Sequence, residues 1–278
     1  MTRTIRTRAE LRAALGDAPR PVGLVPTMGW LHEGHRSLMH RARAENPTTV
    51  VSIFVNPRQF GDPADLAKYP RSEAGDVTIC TEAGIDLVWA PQVEEVYPPG
   101  FDTTVLVGAI ARPLEGAARP GHFDGVATVV AILFNLVGAE RAYFGQKDAQ
   151  QLLVIRQMAR DLAIRTEVIG CPTIREADGL AMSSRNVHLS AEERAAAPVI
   201  RRALLAGRGL WEQGERSGDA IRTAMTSVLA SEARANPEYV SAADVATLAE
   251  LDVVDRPALL STAVRFGSTR LIDNEPLA

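Results

Sequence analysis

Two histidines three positions apart, His32 and His35, lie in the stretch Pro26-Thr27-Met28-Gly29-Trp30-Leu31-His32-Glu33-Gly34-His35. An apolar run at 22–25 precedes this stretch and a helical run at 36–45 follows it. That order predicts a strand, a tight turn carrying Gly29, and a helix that opens on both imidazoles. Residues at i and i+3 share a helical face, with Cβ atoms about 5–6 Å apart. The start of a helix offers unpaired N–H groups and the positive end of its dipole, which suits a chain of phosphates. Two imidazole donors there would hold a triphosphate and stabilise the negative charge that builds as pyrophosphate leaves. Gly34 leaves room for a ligand to approach the backbone.

Three further places carry polar groups at the ends of apolar elements. The β-branched run 48–55 reads as a strand buried on both faces of a parallel sheet, and it exits into Asn56-Pro57-Arg58-Gln59. Ligands of α/β sheets sit at such carboxyl ends, and the neutral amides of Asn56 and Gln59 suit the hydroxyls and carboxylate of a small acid. A strand at 141–144 exits through Gly145-Gln146-Lys147-Asp148. Gly145 makes that turn, Lys147 brings positive charge, Asp148 caps a helix at 148–161, and Gln151 faces back from its first turn. Beyond Pro172, Ser183, Ser184 and Arg185 give segment 174–186 a phosphate-friendly character. Blander readings stay open at this point: a capping imidazole, a plain Asn-Pro turn, a solvated lysine and a serine-rich linker.

The elements that would position these groups alternate up to about residue 170. Helices are expected at 8–15, 72–83 and 126–137, and strands at 22–25, 48–55, 87–90, 141–144 and 165–170. A short hairpin strand is expected at 103–107, and a long Gly/Pro-rich loop at 112–125 carries Glu115, Arg119 and His122. After Pro172 the pattern changes. Ser190 with Glu193 forms a capping box for a helix running to about 211; a second helix at 219–233 and strands at 239–244, 263–266 and 269–273 follow. The fold class is therefore α/β, a Rossmann-like doubly wound parallel sheet with a smaller C-terminal α+β domain. The domain boundary is expected near Pro172, with residues 1–172 as the Rossmann-like domain and residues 173–278 as the smaller one.

At 278 residues, 46% apolar and 23% charged, the chain has ample core for this arrangement. A net charge of −4 provides no basic footprint for nucleic acid. The apolar segment 126–137 is too short to span a bilayer, and the arginine-bearing N-terminus has no apolar core of a secretory signal. Cys80 and Cys171 are isolated, as in a reducing cytoplasm, and lack metal-site spacing. The expected partners are small molecules, in the cytoplasm, with neither nucleic acid nor membrane.

His-x-Gly-His resembles the signature of the nucleotidyltransferase and class I aminoacyl-tRNA synthetase superfamily. Several ordered segments together resemble one family more specifically, the pantoate–β-alanine ligases. They are Pro26–Gly29 with His32–His35, Phe54-Val55-Asn56-Pro57 with Gln59-Phe60, Tyr69-Pro70-Arg71, Gly121–Val126, Phe144-Gly145 with Lys147-Asp148 and Gln150-Gln151, Arg175–Asn186, and Thr269–Asn274. The resemblance spans nearly the whole chain.

It implies an ATP-dependent ligation in two steps: pantoate attacks the α-phosphate of Mg-ATP, and β-alanine then attacks the pantoyl adenylate, releasing AMP and pantothenate. It implies that His32, His35 and Lys147 meet the phosphates, with His35 as proton donor. Met28, Gly29, Trp30, Leu31, Glu33, Gly34, Gly145, Gln146, Asp148, Ile174, Met182, Ser183, Ser184 and Arg185 complete the ATP site. Gln59 and Gln151 bind pantoate, and Gln59 also touches β-alanine. Mg²⁺ lies beside Asp76, and the protein is a homodimer. Three positions depart from the family's usual pattern: Gln146 replaces a common glutamate, only Asp76 remains of an acidic pair, and Trp30 replaces a smaller residue. A different nucleotidyltransferase would want basic residues around its substrate where this chain has Asn56, Gln59 and Gln151. A non-catalytic nucleotide sensor would lack the histidines or Lys147.

Overall fold

The computed structural model describes residues 2–278, with Asp65 described by its backbone alone. The chain divides into two compact units: residues 1–146 with 150–172, and residues 147–149 with 173–278. The first is built on β1 (Arg3–Ile5), β2 (Val22–Thr27), β3 (Thr48–Ile53), β4 (Leu87–Trp89), β5 (Arg141–Gly145) and β6 (Glu167–Cys171). These six form one parallel sheet in the order β1-β4-β3-β2-β5-β6. From β2 the chain first winds outward through β3 and β4, then returns to place β5 on the other side of β2. The strand order reverses between β2 and β5, and ligands of open α/β sheets bind at such a reversal.

The sequence explains the sheet. β2 and β3 pair over six residues, from Val22 with Thr48 to Thr27 with Ile53, and nearly every side chain in both is buried. On one face Val25, Val51 and Val88 pack with Leu38, Met39, Ala42 and Cys80 from the helices Glu33–Glu45 and Glu73–Glu82. Burying a side chain the size of Met39 stabilises by about 1.5–3 kcal/mol. The Glu33–Glu45 helix stops where Pro47 follows Asn46.

The second unit packs the helices Val199–Glu212 and Gly218–Ala230 with three antiparallel strands, β7 (Asn236–Asp244), β8 (Ala258–Phe266) and β9 (Thr269–Leu277). Its core joins Leu204, Met225, Leu260 and Phe266.

Several expectations need correction. Residues 103–107 form no strand; Val105 instead donates its N–H to Thr128 Oγ1 at 3.0 Å. The apolar helix begins at His122, four residues earlier than its composition suggested. Gly125 lies inside it because the helix crosses the turn after β3 so closely that a Cβ would come within 2.3 Å of the Arg58 carbonyl oxygen. The helix expected from 190 to 211 is two, Ala191–Ala196 and Val199–Glu212, separated at Ala197-Pro198. The capping box of Ser190 and Glu193 is present. β1 was not foreseen.

Candidate active site

The exit of β2 forms a hydrogen-bonded knot. Thr27 Oγ1 accepts the Gly29 N–H at 3.2 Å. Gly29 and Trp30 both have positive φ, 81° and 53°, so the chain reverses in two residues before the helix starts. Asp76, from the first turn of the Glu73–Glu82 helix, accepts the N–H of Trp30 at Oδ2 (3.0 Å) and of Leu31 at Oδ1 (2.8 Å). His32 is the helix N-cap, and its Nδ1 accepts the Gly34 N–H at 3.1 Å; His35 Nδ1 accepts the His32 N–H at 3.3 Å. The two rings lie 4.2 Å apart, centroid to centroid.

This arrangement corrects one sequence expectation and sharpens another. The amides of residues 29–32, 34 and 35 are bonded within the protein, the last to the His32 carbonyl oxygen at 2.8 Å. The helix start therefore does not present a row of unpaired N–H groups. With Nδ1 of each ring accepting an amide, the ring proton belongs on Nε2, an assignment made from the partners. Each ring can then donate Nε2–H while neutral.

The exit of β3 adds a second cluster. Asn56 is 1% exposed and uses its whole amide internally: Oδ1 accepts from Tyr97 Oη at 2.7 Å and from the Arg58 N–H at 3.3 Å. Its Nδ2 donates to Gln59 Oε1 at 3.0 Å and to the Gly125 carbonyl at 3.1 Å. Asn56 is thus a support for Gln59, not the substrate amide its position suggested. Gln59 donates from Nε2 to Met28 Sδ at 3.2 Å, joining two residues the sequence assigned to different ligands. The Gln59 carbonyl accepts from His122 Nδ1 at 2.9 Å and Arg119 Nη2 at 3.4 Å, so His122 holds the opposite tautomer to His32 and His35.

Gln150 belongs to the segments that carry the resemblance, but the sequence assigns it no role. It is buried, and its amide pins the segment 110–115 through the Ile110 and Pro113 carbonyls and the Glu115 N–H, at 2.8–3.0 Å. Its neighbour Gln151 lies in the first turn of the Ala149–Asp161 helix, half-buried.

The C-terminal unit holds the rest. Lys147 and Asp148, with Nζ and Oδ1 3.7 Å apart, group with it. Asn274 on β9 donates from Nδ2 to the Lys147 carbonyl at 2.9 Å. The adjacent Asp273 is buried and takes both ends of the Arg175 guanidinium, at 2.5 and 3.0 Å. Arg175 stands in a narrow loop closed by Met182 N–H on the Ile174 carbonyl at 3.0 Å, which brings Ile174 and Met182 together. Ser183 Oγ caps the turn Ser184–His188 by accepting the Arg185 N–H at 3.2 Å.

Neither thiol is suited to covalent work. Burial, aided by the Asp76 charge, pushes Cys80 up to about 12, and burial raises Cys171. The thiolate is the reactive form, so both stay protonated at neutral pH. Among the described residues no helix is long and apolar enough to cross a membrane.

The chain matches the family model described as pantoate-beta-alanine ligase over residues 3–276. It is 59% identical over 272 residues to a pantothenate synthetase of Roseiflexus castenholzii, covering 98% of both chains. The crystal structure of a pantothenate synthetase from Thermus thermophilus superposes with a TM-score of 0.94 at 52% identity, covering 98% of each chain. A pantoate-beta-alanine ligase from Francisella tularensis, crystallised in complex with beta-gamma ATP and beta-alanine, gives 0.81 at 31% identity over 99% of this chain and 97% of its own.

Proposed function

The chain belongs to the pantoate–β-alanine ligase family, and on that premise we propose that it condenses pantoate with β-alanine through a pantoyl-adenylate intermediate. The match of the whole chain to the family carries the reading. A carboxylate is a poor acyl donor at neutral pH; joining it to AMP gives it a stable leaving group. Such a reaction needs orientation and neutralisation of charge more than a covalent enzyme group. The chain's own residues fit that need, since both thiols are protonated and the two imidazoles lie together at the helix start.

In this reading the Nε2–H groups of His32 and His35 donate to ATP phosphate oxygens and meet the charge that develops when pyrophosphate departs, with His35 the proton donor. Lys147 offers its ammonium to the same phosphates, and Ser183, Ser184 and Arg185 grip them. Met28, Gly29, Gly145, Gln146, Asp148, Ile174 and Met182 line the adenosine and ribose. Gln59, held by Asn56, and Gln151 bind pantoate, and Gln59 contacts β-alanine. Trp30, Leu31, Glu33 and Gly34 contribute as the backbone that sets the two imidazoles. Support for the ATP and β-alanine assignments comes from the Francisella relative, whose crystals hold both kinds of ligand.

Mg²⁺ enters as the counter-ion of ATP. Asp76, the carboxylate the sequence offered to it, does not fit, because it is buried and both oxygens accept amides. A homodimer in a reducing cytoplasm completes the proposal; the family resemblance suggests the dimer, and two buried free cysteines suit the compartment.

The test is product analysis. With Mg-ATP, pantoate and β-alanine, the expected products are AMP, pyrophosphate and pantothenate in equal amounts, with no pantothenate when β-alanine is left out. ADP and phosphate as products would overturn the reading.

A further inference from the structure

Asp76 is 2% exposed and lies on a helix that is remote in sequence from the histidine turn it contacts. Its two oxygens take the Trp30 and Leu31 amides at 3.0 and 2.8 Å. Those amides belong to the turn in which Gly29 and Trp30 both adopt the left-handed region. That conformation is strained for a non-glycine residue such as Trp30 and persists only where surrounding contacts fix it. A Cβ on Gly29 would lie 2.8 Å from Asp76 Oδ2, so the carboxylate is packed directly on the turn's backbone. Immediately beyond Leu31 come the His32 cap and its bond to His35.

We propose that Asp76 is a positioning residue, which fixes the turn that aims the His32–His35 pair through two amide bonds and does not ligate Mg²⁺. The proposal deepens the ligase reading and rests on it. Hydrogen bonds from amides to an ionised carboxylate are among the stronger ones. Octahedral Mg²⁺ demands oxygens at about 2.0–2.1 Å and usually keeps several waters, whereas these two oxygens are engaged and shielded. Burial, with the nearby Glu73 charge, leaves the Asp76 carboxyl above the ordinary aspartate value, and the Leu31 and Trp30 amides oppose that rise.

The variant Asp76→Asn keeps the shape but sets a side-chain NH₂ against one of the two amides. Displacing a reacting group by about 1 Å costs up to about 10²-fold in rate. Asp76→Asn is therefore expected to lose about 10- to 100-fold in kcat, with an unchanged Mg²⁺ concentration for half-maximal rate. Turnover within about twofold of wild type, or turnover restored by excess Mg²⁺, would overturn the proposal. A measurement on the unaltered protein covers the case in which the variant does not fold. In ¹⁵N NMR of nucleotide-free wild type, added Mg²⁺ is expected to leave the Trp30 and Leu31 amide signals in place; a saturable shift of both would identify Asp76 as a metal ligand. If wild type makes no pantothenate, the ligase reading fails, and this NMR result still decides what Asp76 does.

Discussion

The two strand exits that carry His32, His35 and Lys147 are built on different plans. After β2, Thr27, Asp76 and the two imidazoles, all of the Rossmann-like unit, accept the amides of residues 29–32 and 34 that shape the turn. After β5, Lys147 is held by Asn274, 127 residues further along the chain, and residues 147–149 group with the C-terminal unit. The histidines are thus preorganised by the sheet they leave. The lysine groups with the C-terminal unit, where its carbonyl is held by Asn274 on β9, next in sequence to the Asp273 that pairs with Arg175. Aim is built into the first exit, whereas the second borrows it from the end of the chain.

Mutations at both exits sharpen this contrast. His35→Ala removes the proposed transition-state donor together with the acceptor for the His32 amide, and kcat is expected to fall by about 10²–10³-fold. Steady-state turnover within a few-fold of wild type would remove His35 from its role. Asn274→Ala leaves Lys147 chemically intact but frees its carbonyl, and about a 10-fold loss in kcat is expected. If Asn274→Ala is silent while Lys147→Ala is not, the lysine is positioned by its own junction and the contrast breaks.

Smaller effects test the supports. Gly125→Ala forces a methyl group onto the Arg58 carbonyl and should lower stability by about 1–3 kcal/mol, read as a drop in the denaturant midpoint. An unchanged midpoint would mean the helix and the β3 exit are not tightly packed. In the C-terminal unit, burial acts to raise Glu275, but hydrogen bonds and charges from Arg201 and Arg208 bring it below the ordinary glutamate value of 4.5. Its contribution is present above that value and is lost as pH falls through the lower folded-state value. Stability should therefore decline in this acid window, and Glu275→Gln should flatten the decline.

Much of this was legible because it is local. The β-branched run of β3, the glycine turn, the i,i+3 histidines and the Ser190 capping box each lie within a few residues of what they control. What escaped depends on long separations or on packing. Asp76 read as a metal neighbour because nothing near it in sequence reveals the amides of Trp30 and Leu31. Gly125 read as loop because a glycine needed for close approach looks the same in sequence as a glycine needed for a turn. Asn56 read as a ligand because its true partners, Tyr97 and Gly125, come from distant segments. β1 is three residues long and carries too little pattern to announce a strand.

The most direct test is pantoate-dependent exchange of labelled pyrophosphate into ATP, measured without β-alanine. The account predicts exchange that requires pantoate and is lost in His35→Ala. No exchange with wild type, under conditions where pantothenate is made when β-alanine is added, would contradict an adenylate formed ahead of the amine's attack.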